Sequence, residues 1–524
     1  MKVRYAGLVA LVASVTFCAS PGRASASSMP ITPARIDATV ARAMRAFEVP
    51  GVAVGIVKDG QVVYAKGYGV RELGQKAPVD ADTLFQIGSN TKAFTAAALA
   101  LLVDEGKIRW DDKVIDHLPE FRLYDPYVTR EFTIRDLLTH RSGLRTGAGD
   151  LMFYPATDFT RAEIIHGLRY LKPVGAFRSQ FNYDNVLYMV AGQIIPAVTG
   201  ESWEDFVRAR IFEPLGMRSC AARYDLIENR GNMVAPHAVV EGKLVRIPVE
   251  NIVVIGPAGT ISCNVSGMSK WLMTLLAQGQ TPAGQKLVSA ERVAELTSMI
   301  TVQPIDPALA ALSRTHFKGY GLGWNVQDAF GRKRVSHTGG VPGTLTWVSM
   351  IPELNLGVLV FTNQDDGMAM EAIGNQILDA WLGAPRRDWI DIATAYKQGK
   401  VAEARAAVAE AIKVSATAGA APLPIETYVG RYVDAWRGEA TVRLVRGGLE
   451  LKFSRTDKLE GKLEPWSGNI FIVRWNDRSL NADAFVRFSQ SFGQDIEGMT
   501  LKPVSPATDF SFDFEDLDFR KAQP

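Results

Sequence analysis

The stretch Leu84-Phe-Gln-Ile-Gly-Ser-Asn-Thr-Lys-Ala-Phe-Thr-Ala96 joins a short apolar run and a glycine to the start of a predicted helix. Residues i and i+3 share one helix face, so Ser89 and Lys92 can direct a hydroxyl and an amine to the same point. Lysine can take the serine proton only if burial or nearby cations lower its pKa from ~10.4. The stretch therefore predicts a partly buried nucleophile with its own base. The alternative is a helix-capping serine and a solvated lysine.

Two further segments carry side chains that suit the same chemistry. The first, Phe181-Asn-Tyr-Asp-Asn-Val186, contains the only Tyr-x-Asn of the chain. The Tyr183 phenol can pass a proton to a leaving group, and the Asn185 amide can orient a substrate carbonyl or hold the lysine. Taken alone, this segment also fits a buried tyrosine followed by a capping asparagine.

The second segment, Val335-Ser-His-Thr-Gly-Gly340, ends a predicted strand and contains the only His-x-Gly of the chain. Gly339 and Gly340 allow a substrate backbone to lie against the strand edge. The backbone N–H near Gly340 can join that of Ser89 in an oxyanion hole. His337 is a candidate donor to the substrate, although a single histidine is more often a structural residue.

The order of secondary structure predicts an α/β protein of the α+β type. A hairpin signal, Asp59-Gly60, lies between two apolar runs, and strand-like and helix-like segments alternate from about residue 32 to 385. We expect an antiparallel sheet flanked by helices, with the middle of the sequence forming a helical lobe. The main predicted elements are helices Lys92–Glu105, Ile134–His140 and Asn185–Val198, and strands Val52–Lys58, Gln61–Lys66, Arg334–His337, Leu345–Ile351 and Gly357–Thr362.

The three motifs resemble, in their order and separation, those of the serine β-lactamase and penicillin-binding-protein superfamily, in its class C, esterase and D-aminopeptidase branch. This resemblance covers nearly all of residues 35 to 385 and implies the β-lactamase/transpeptidase-like fold. The supporting phrases are Asp136-Leu-Leu-Thr-His-Arg-Ser-Gly-Leu144, Glu213-Pro-Leu-Gly-Met217, Pro257-Ala-Gly259 and Tyr320-Gly-Leu-Gly-Trp324.

The resemblance implies acyl transfer through Ser89, with Lys92 and Tyr183 moving the protons and Asn185, His337, Gly339 and Gly340 binding substrate. The β-lactamases of this group usually have lysine where this chain has His337, and that cation helps bind the antibiotic's carboxylate. We therefore expect a serine hydrolase that cleaves amide bonds of small peptides. A carboxylesterase or a weak class C-type β-lactamase is one alternative, and a non-catalytic penicillin-binding-like sensor or scaffold is an alternative of another class.

Composition divides the chain into four predicted parts: a signal peptide (1–26), the β-lactamase-like serine hydrolase domain (32–385), a helical connecting segment (386–424) and a small all-β domain (425–524). The last part resembles the lipocalin-like β-barrel often appended to such hydrolases. We expect removal of the region after about residue 425 to change substrate range more than Ser89 reactivity. Residues 145–180 are expected to border the substrate cleft.

Charge and targeting signals limit the partners. Lys plus Arg is 58 against 56 for Asp plus Glu, and a net charge of +2 argues against nucleic acid. A small molecule or short peptide is the expected substrate. The sequence is compatible with an oligomer and does not give the oligomeric state. Basic residues, an apolar run and Ala24-Ser-Ala26 predict a secretory signal, hence a periplasmic or secreted protein with no integral membrane segment in the mature chain.

Cysteine and histidine usage bears on disulfides and metals. Cys220 and Cys263 remain in the mature chain, and we expect two buried free thiols, with pairing as the alternative in an oxidising compartment. None of the six histidines lies in a ligand spacing, so we expect no metal and no cofactor.

Overall fold

A computed structural model describes residues 29–250, 252–417, 422–493 and 495–523. The predicted signal peptide, with Cys18, lies outside the described residues. Two bodies of structure are present: a mixed sheet-and-helix region, called the sheet region (residues 29–388), and a closed barrel, called the barrel region (residues 425–523). The predicted fold class, an antiparallel sheet flanked by helices and followed by a small all-β barrel, is confirmed.

The large sheet has eight strands in the order β2-β1-β12-β11-β10-β9-β8-β7. All of its pairs are antiparallel, and the predicted hairpin places Lys58 opposite Gln61. The strands of the sheet region are β1 (Gly51–Lys58), β2 (Gln61–Gly69), β3 (Phe85–Gln86), β4 (His237–Val240), β5 (Lys243–Arg246), β6 (Ser262–Cys263), β7 (Thr301–Val302), β8 (Lys318–Tyr320), β9 (Asn325–Ala329), β10 (Arg332–Val341), β11 (Thr344–Ile351) and β12 (Leu356–Thr362).

Helices cover both faces of the sheet, so the inner strands β1 and β12 are buried along nearly their whole length. The helices are α1 (Pro33–Phe47), α2 (Thr91–Asp104), α3 (Val114–His117), α4 (Pro126–Glu131), α5 (Ile134–Leu137), α6 (Arg161–Gly167), α7 (Val186–Thr199), α8 (Trp203–Val207), α9 (Glu213–Leu215), α10 (Gly256–Gly259), α11 (Val265–Leu276), α12 (Ala290–Leu296), α13 (Pro307–Ser313), α14 (Gly367–Leu382) and α15 (Trp389–Thr417). Among the described residues, none of these helices is both long enough and apolar enough to span a bilayer.

Helix α2 is the central helix of the sheet region. Its Ala-rich sequence is apolar on every side, and each residue from Thr91 to Leu102 is buried, as expected for a helix enclosed by others. The residues before it are held on both flanks: Phe85 pairs with Cys263, and the Ile87 carbonyl accepts a hydrogen bond of 2.9 Å from the Thr346 hydroxyl. The start of α2 is therefore fixed between β6 and β11.

The barrel region closes on itself through the pairing of its first and last strands. Its strands are β13 (Gly430–Asp434), β14 (Gly438–Val445), β15 (Gly448–Phe453), β16 (Glu460–Ser467), β17 (Ile470–Trp475), β18 (Ala484–Gln490), β19 (Ile496–Pro503) and β20 (Phe519–Lys521). Residues 505–516, between β19 and β20, leave the barrel and reach the sheet region; we call them the bridging segment.

Two sequence predictions need correction. The helix predicted over Ile134–His140 ends at Leu137, and His140 adopts a positive φ of 53°, which a helix does not tolerate. The expectation of free thiols is wrong, because Cys220 and Cys263 form a disulfide with their Cα atoms 4.3 Å apart. The bond ties the strand that pairs with β3 to the loop after α9.

Candidate active site

A cavity of about 690 Å³ opens between the helical part of the sheet region, the end of β10 and the barrel region. Five of the seven residues proposed for the site line it: Ser89, Tyr183, Asn185, His337 and Gly340. Phe153 and Tyr154, from the segment expected to border the cleft, line it as well. The remaining two, Lys92 and Gly339, are buried behind this surface.

Ser89 lies in a 3-10 turn, Gly88–Asn90, which leads directly into α2. The turn projects the Ser89 hydroxyl toward the cavity, and one turn later the Lys92 amine donates to that hydroxyl over 2.9 Å. The same amine donates to Asn185 Oδ1 at 2.7 Å and to the Ala258 carbonyl at 2.9 Å. All three hydrogens of a charged lysine thus have acceptors. When the amine is neutral, its lone pair can accept only from the Ser89 hydroxyl, the one partner of the three that has a hydrogen to donate.

The Lys92 side chain is fully buried, and burial lowers its pKa to about 7. The buried carboxyls of Asp150 and Asp184 act in the opposite direction and raise this pKa. At neutral pH a large fraction of Lys92 is therefore uncharged, which is the state that accepts a proton from serine. The sequence predicted that Lys92 could act as a base only if it were buried in this way.

Tyr183 sits across the same corner of the cavity, with the Lys92 amine 4.8 Å from the centre of its ring. Burial raises the pKa of Tyr183 above its usual value, while a hydrogen bond with Ser89 acts in the opposite direction. The phenol therefore keeps its proton at neutral pH. In the resting site Lys92 is the base, and Tyr183 is a proton donor next to the nucleophile.

The end of β10 packs directly on the Ser89 turn. A Cβ on Gly339 would lie 1.8 Å from the Ile87 carbonyl oxygen, and one on Gly88 would lie 2.4 Å from the Gly340 nitrogen. Only glycine fits at these two positions, because any side chain would push the strand away. Gly339 therefore acts through close packing, whereas Gly340 brings its backbone to the cavity beside Ser89.

His337 has both ring nitrogens engaged within the protein. Nδ1 lies 2.5 Å from the Thr338 carbonyl oxygen and must donate to it, so Nε2 accepts from the Tyr320 hydroxyl at 2.9 Å. Burial, together with the nearby Lys92, lowers the pKa of His337 to about 3. His337 is uncharged at neutral pH and offers the cavity its ring rather than a free N–H.

Several residues of the site went unnoticed in the sequence. Asp150, fully buried, accepts at its Oδ2 from Asn185 Nδ2 at 2.7 Å and from the Ser511 hydroxyl at 2.8 Å. Phe510 lines the cavity with its ring centre 5.7 Å from that of Tyr183. Ser511 and Phe510 belong to the bridging segment, and no motif surrounds them or Asp150.

Within the part of the chain that the structure describes, no group of three or more His, Cys, Asp or Glu side chains is arranged to hold a metal ion. The polar side chains of the cavity wall include, besides those around Ser89, Lys318, Asp365 and Asp509.

Two family models match the chain. The family model described as Beta-lactamase matches residues 36–380, and a domain of unknown function, DUF3471, matches residues 415–521. The protein named Unguisins hydrolase ungD' of Aspergillus campestris (strain IBT 28561) is 31% identical over 364 residues, which cover 66% of this chain and 65% of that protein. Penicillin-binding protein 4 of Amycolatopsis lactamdurans is 28% identical, over 60% of this chain and 81% of that protein. The chain thus spans less than two thirds of the length of the first of these relatives.

Solved structures show the same fold. The octameric penicillin-binding protein homologue from Pyrococcus abyssi aligns with a TM-score of 0.61 at 22% identity, covering 93% of this chain and 99% of that one. The D-amino acid amidase from Ochrobactrum anthropi SV3 aligns with a TM-score of 0.55 at 21% identity, covering 66% of this chain and 97% of that one. The first of these alignments extends over both the sheet region and the barrel region.

Proposed function

The chain belongs to the Beta-lactamase family, and from that premise we propose that it is an exported serine hydrolase that cleaves amide bonds of small peptides through an acyl-Ser89 intermediate. The observation that carries the proposal is the Lys92 amine, 2.9 Å from the Ser89 hydroxyl and with a pKa lowered by burial to about 7. A base of this strength, in contact with a serine at a cavity wall, is what nucleophilic catalysis at neutral pH requires.

In the acylation step, neutral Lys92 takes the Ser89 proton as the oxygen attacks the substrate carbonyl. The backbone N–H groups of Ser89 and Gly340 are the proposed donors to the resulting oxyanion, at the close contact of β10 with the 3-10 turn. Tyr183, which holds its proton at neutral pH, gives it to the leaving amine as the tetrahedral intermediate collapses. The proton on Lys92 then returns to the tyrosinate.

In the deacylation step, water enters from the cavity and attacks the acyl carbonyl. Lys92, neutral again after the proton return, removes a proton from this water with Tyr183 as the relay. As the second intermediate collapses, its bond to Ser89 Oγ breaks, Lys92 returns its proton to Oγ, and the acid leaves. No group outside the three residues is needed to balance the protons.

The cavity favours a small peptide with an apolar side chain. Its volume of about 690 Å³ is in the range of small-ligand sites, and its wall carries the rings of Phe153, Tyr154, Phe181 and Phe510. Similarity to proteins named D-amino acid amidase and D-stereospecific amidohydrolase makes D-residue amides the first substrates to assay. Neutral His337 supplies no cation for an antibiotic's carboxylate, which disfavours β-lactam hydrolysis.

The proposal of export rests on the predicted signal segment and is supported by the disulfide between Cys220 and Cys263. Disulfides persist in oxidising compartments such as the periplasm and the extracellular space, and are rare in the bacterial cytosol. Fractionation of cells that express the full chain, with N-terminal sequencing of the mature form, tests this part separately.

A substrate panel tests the proposed activity. We expect purified mature protein to hydrolyse D- or L-aminoacyl p-nitroanilides and short peptides with a higher kcat/KM than penicillins, and Ser89→Ala to lose this turnover. Higher turnover of p-nitrophenyl esters, with no amide cleavage, would assign a carboxylesterase instead. Binding of penicillin without turnover in the wild-type protein would point to the sensor alternative.

A further inference from the structure

A chain of hydrogen bonds connects the bridging segment to the nucleophile. The Ser511 hydroxyl and Asn185 Nδ2 both donate to Asp150 Oδ2, at 2.8 and 2.7 Å. Asn185 Oδ1 accepts from the Lys92 amine at 2.7 Å, and that amine donates to Ser89 at 2.9 Å. A residue of the barrel region is therefore four hydrogen bonds away from the attacking oxygen.

Asp150 determines which end of the Asn185 amide faces Lys92. A primary amide has an acceptor oxygen and a donor nitrogen, and it satisfies both only when its neighbours are complementary. Asp150 Oδ2 is the acceptor for Asn185 Nδ2, which leaves Asn185 Oδ1 for the lysine. Without an acceptor at position 150, the amide is free to turn its NH₂ group toward Lys92 and displace the amine from Ser89.

The bridging segment in turn holds Asp150. The backbone N–H groups on either side of it, those of Gly149 and Leu151, donate to the Asp513 carboxyl at 2.6 and 3.1 Å. A Cβ on Gly147 would lie 2.3 Å from the Phe510 carbonyl oxygen, so the two backbones are in direct contact. The turn that carries Asp150 therefore packs directly against the bridging segment and is hydrogen-bonded to it.

The two oxygens of Asp150 have different surroundings. Oδ1 is buried and has no hydrogen-bond partner among the described residues, an arrangement that costs free energy. Both hydrogen bonds instead converge on Oδ2, the atom that faces Asn185 and Ser511.

We infer that Asp150 is a positioning residue for the Ser89 and Lys92 pair and that Ser511 of the barrel region completes its setting, so that the barrel contributes to the rate of acylation. This inference rests on the proposed function. It adds that a group from the far end of the chain, Ser511 at the cavity wall, orders the base through Asp150 and Asn185.

Variants at the two ends of the network test it. Ser511→Ala removes one hydrogen bond and is expected to lower the rate of Ser89 acylation by a fluorophosphonate roughly tenfold. Asp150→Ala is expected to lower it by about 10²-fold, since a misplaced base costs about that much. Asp150→Asn keeps an oxygen for both donors and should restore most of the rate. Ser489→Ala, on an exposed position of β18, is the matched control and should react like the wild type.

Non-additivity separates positioning from loss of fold. Because Asp150 and Ser511 act through one network, the double variant Asp150→Ala with Ser511→Ala should be little slower than Asp150→Ala alone. Thermal unfolding of each variant shows whether it is folded. Equal acylation rates for Ser511→Ala and Ser489→Ala, or failure of Asp150→Asn to exceed Asp150→Ala, would overturn the inference.

A measurement that does not depend on turnover distinguishes failure of the inferred network from failure of the proposed function. In protein with ¹⁵N-labelled lysine, the Nζ resonance of Lys92, assigned by its absence in Lys92→Met, reports the titration of the amine. Ser511→Ala should move that titration upward, because a loosened site admits water and relieves the burial that lowers the pKa. If wild-type Ser89 does not react, the proposed function fails, and an unchanged Lys92 titration in Ser511→Ala would separately refute the network.

Discussion

The two halves of the site reach the cavity in opposite ways. Ser89 and Lys92 are three residues apart and meet because a 3-10 turn runs into a helix, whereas Ser511 and Asp150 are 361 residues apart and meet only when the barrel region docks. The first half is set by local geometry that any folded helix start provides. The second half depends on the closure of the barrel and on its contacts with the sheet region.

The contrast changes the expected role of the barrel region. The sequence led us to expect that losing it would alter substrate range more than Ser89 reactivity. Ser511 and Asp513 lie against the turn of Asp150, so we now expect both properties to depend on the barrel. Salt bridges around the docking surface, such as Arg145 with Asp516 at 3.1 Å, are partly exposed and add little to this dependence.

The largest effect on activity is expected for the pair that is close in sequence, Ser89 and Lys92. Lys92→Met keeps the length of the side chain but removes the base, and loss of a general base costs roughly 10²–10⁴-fold in kcat. Steady-state hydrolysis of the best substrate measures it. The loss should exceed that of Ser511→Ala by at least about tenfold; a smaller loss for Lys92→Met would reverse the ranking of the two halves.

Removal of the disulfide measures how much this bond stabilises the sheet region, which carries Ser89 and Lys92. Cys220→Ser with Cys263→Ser removes a bond between residues 43 apart, and we expect unfolding free energy to fall by about 2–4 kcal/mol. Urea denaturation of the variant and of the wild type measures the difference. The wild type in dithiothreitol should match the variant, and a wild-type curve that dithiothreitol leaves unchanged would contradict the assignment of this bond.

Substitution of Phe510 tests whether the barrel region contacts the substrate. Its side chain is 45% exposed, at the cavity wall against Tyr183, so Phe510→Ala should lower kcat/KM for substrates with large apolar side chains by roughly tenfold. Substrates with small side chains should be affected less. Phe492→Ala, on the exposed loop between β18 and β19, is the matched control. Equal losses for large and small side chains would show that Phe510 supports the fold rather than selecting substrate.

The smallest effect is a shift in pH dependence. The activity of the wild type should rise through about pH 7, since Lys92 has a pKa of about 7 and only its neutral form accepts the Ser89 proton. The Asp184 carboxyl raises that pKa, so Asp184→Asn should move the acid limb of kcat/KM to lower pH. An asparagine oxygen can still accept from the Leu187 N–H, which keeps the start of α7. An acid limb that stays in place would contradict the effect of the Asp184 carboxyl on the pKa of Lys92.

The sequence predicted the local features well because they follow from short-range rules. Ser89, Lys92 and the strand with Gly340 were identified from motifs of a few residues. In the structure Ser89 and Gly340 line one cavity, and Lys92 contacts Ser89 from behind its wall. The hairpin signal at Asp59-Gly60 likewise predicted the pairing of β1 with β2 correctly. In each case the pattern and the structure span the same few residues.

The long-range features could not be read in this way. Asp150 and Ser511 lie in segments without a recognisable motif. Their hydrogen bond forms only where the barrel region packs against the sheet region. The pairing of Cys220 with Cys263 depends on a Cα separation that spacing in sequence does not reveal. The predicted limits of the four parts of the chain and the predicted export remain predictions.

The most direct test of the account is to trap the intermediate during turnover. Acid quenching of the enzyme with a p-nitrophenyl ester or aminoacyl anilide, followed by proteolysis and mass spectrometry, locates the acyl group. We predict an added acyl mass on the peptide that contains Ser89, absent in Ser89→Ala, with turnover lost in that variant. An adduct on another residue, or turnover that persists in Ser89→Ala, would contradict the account.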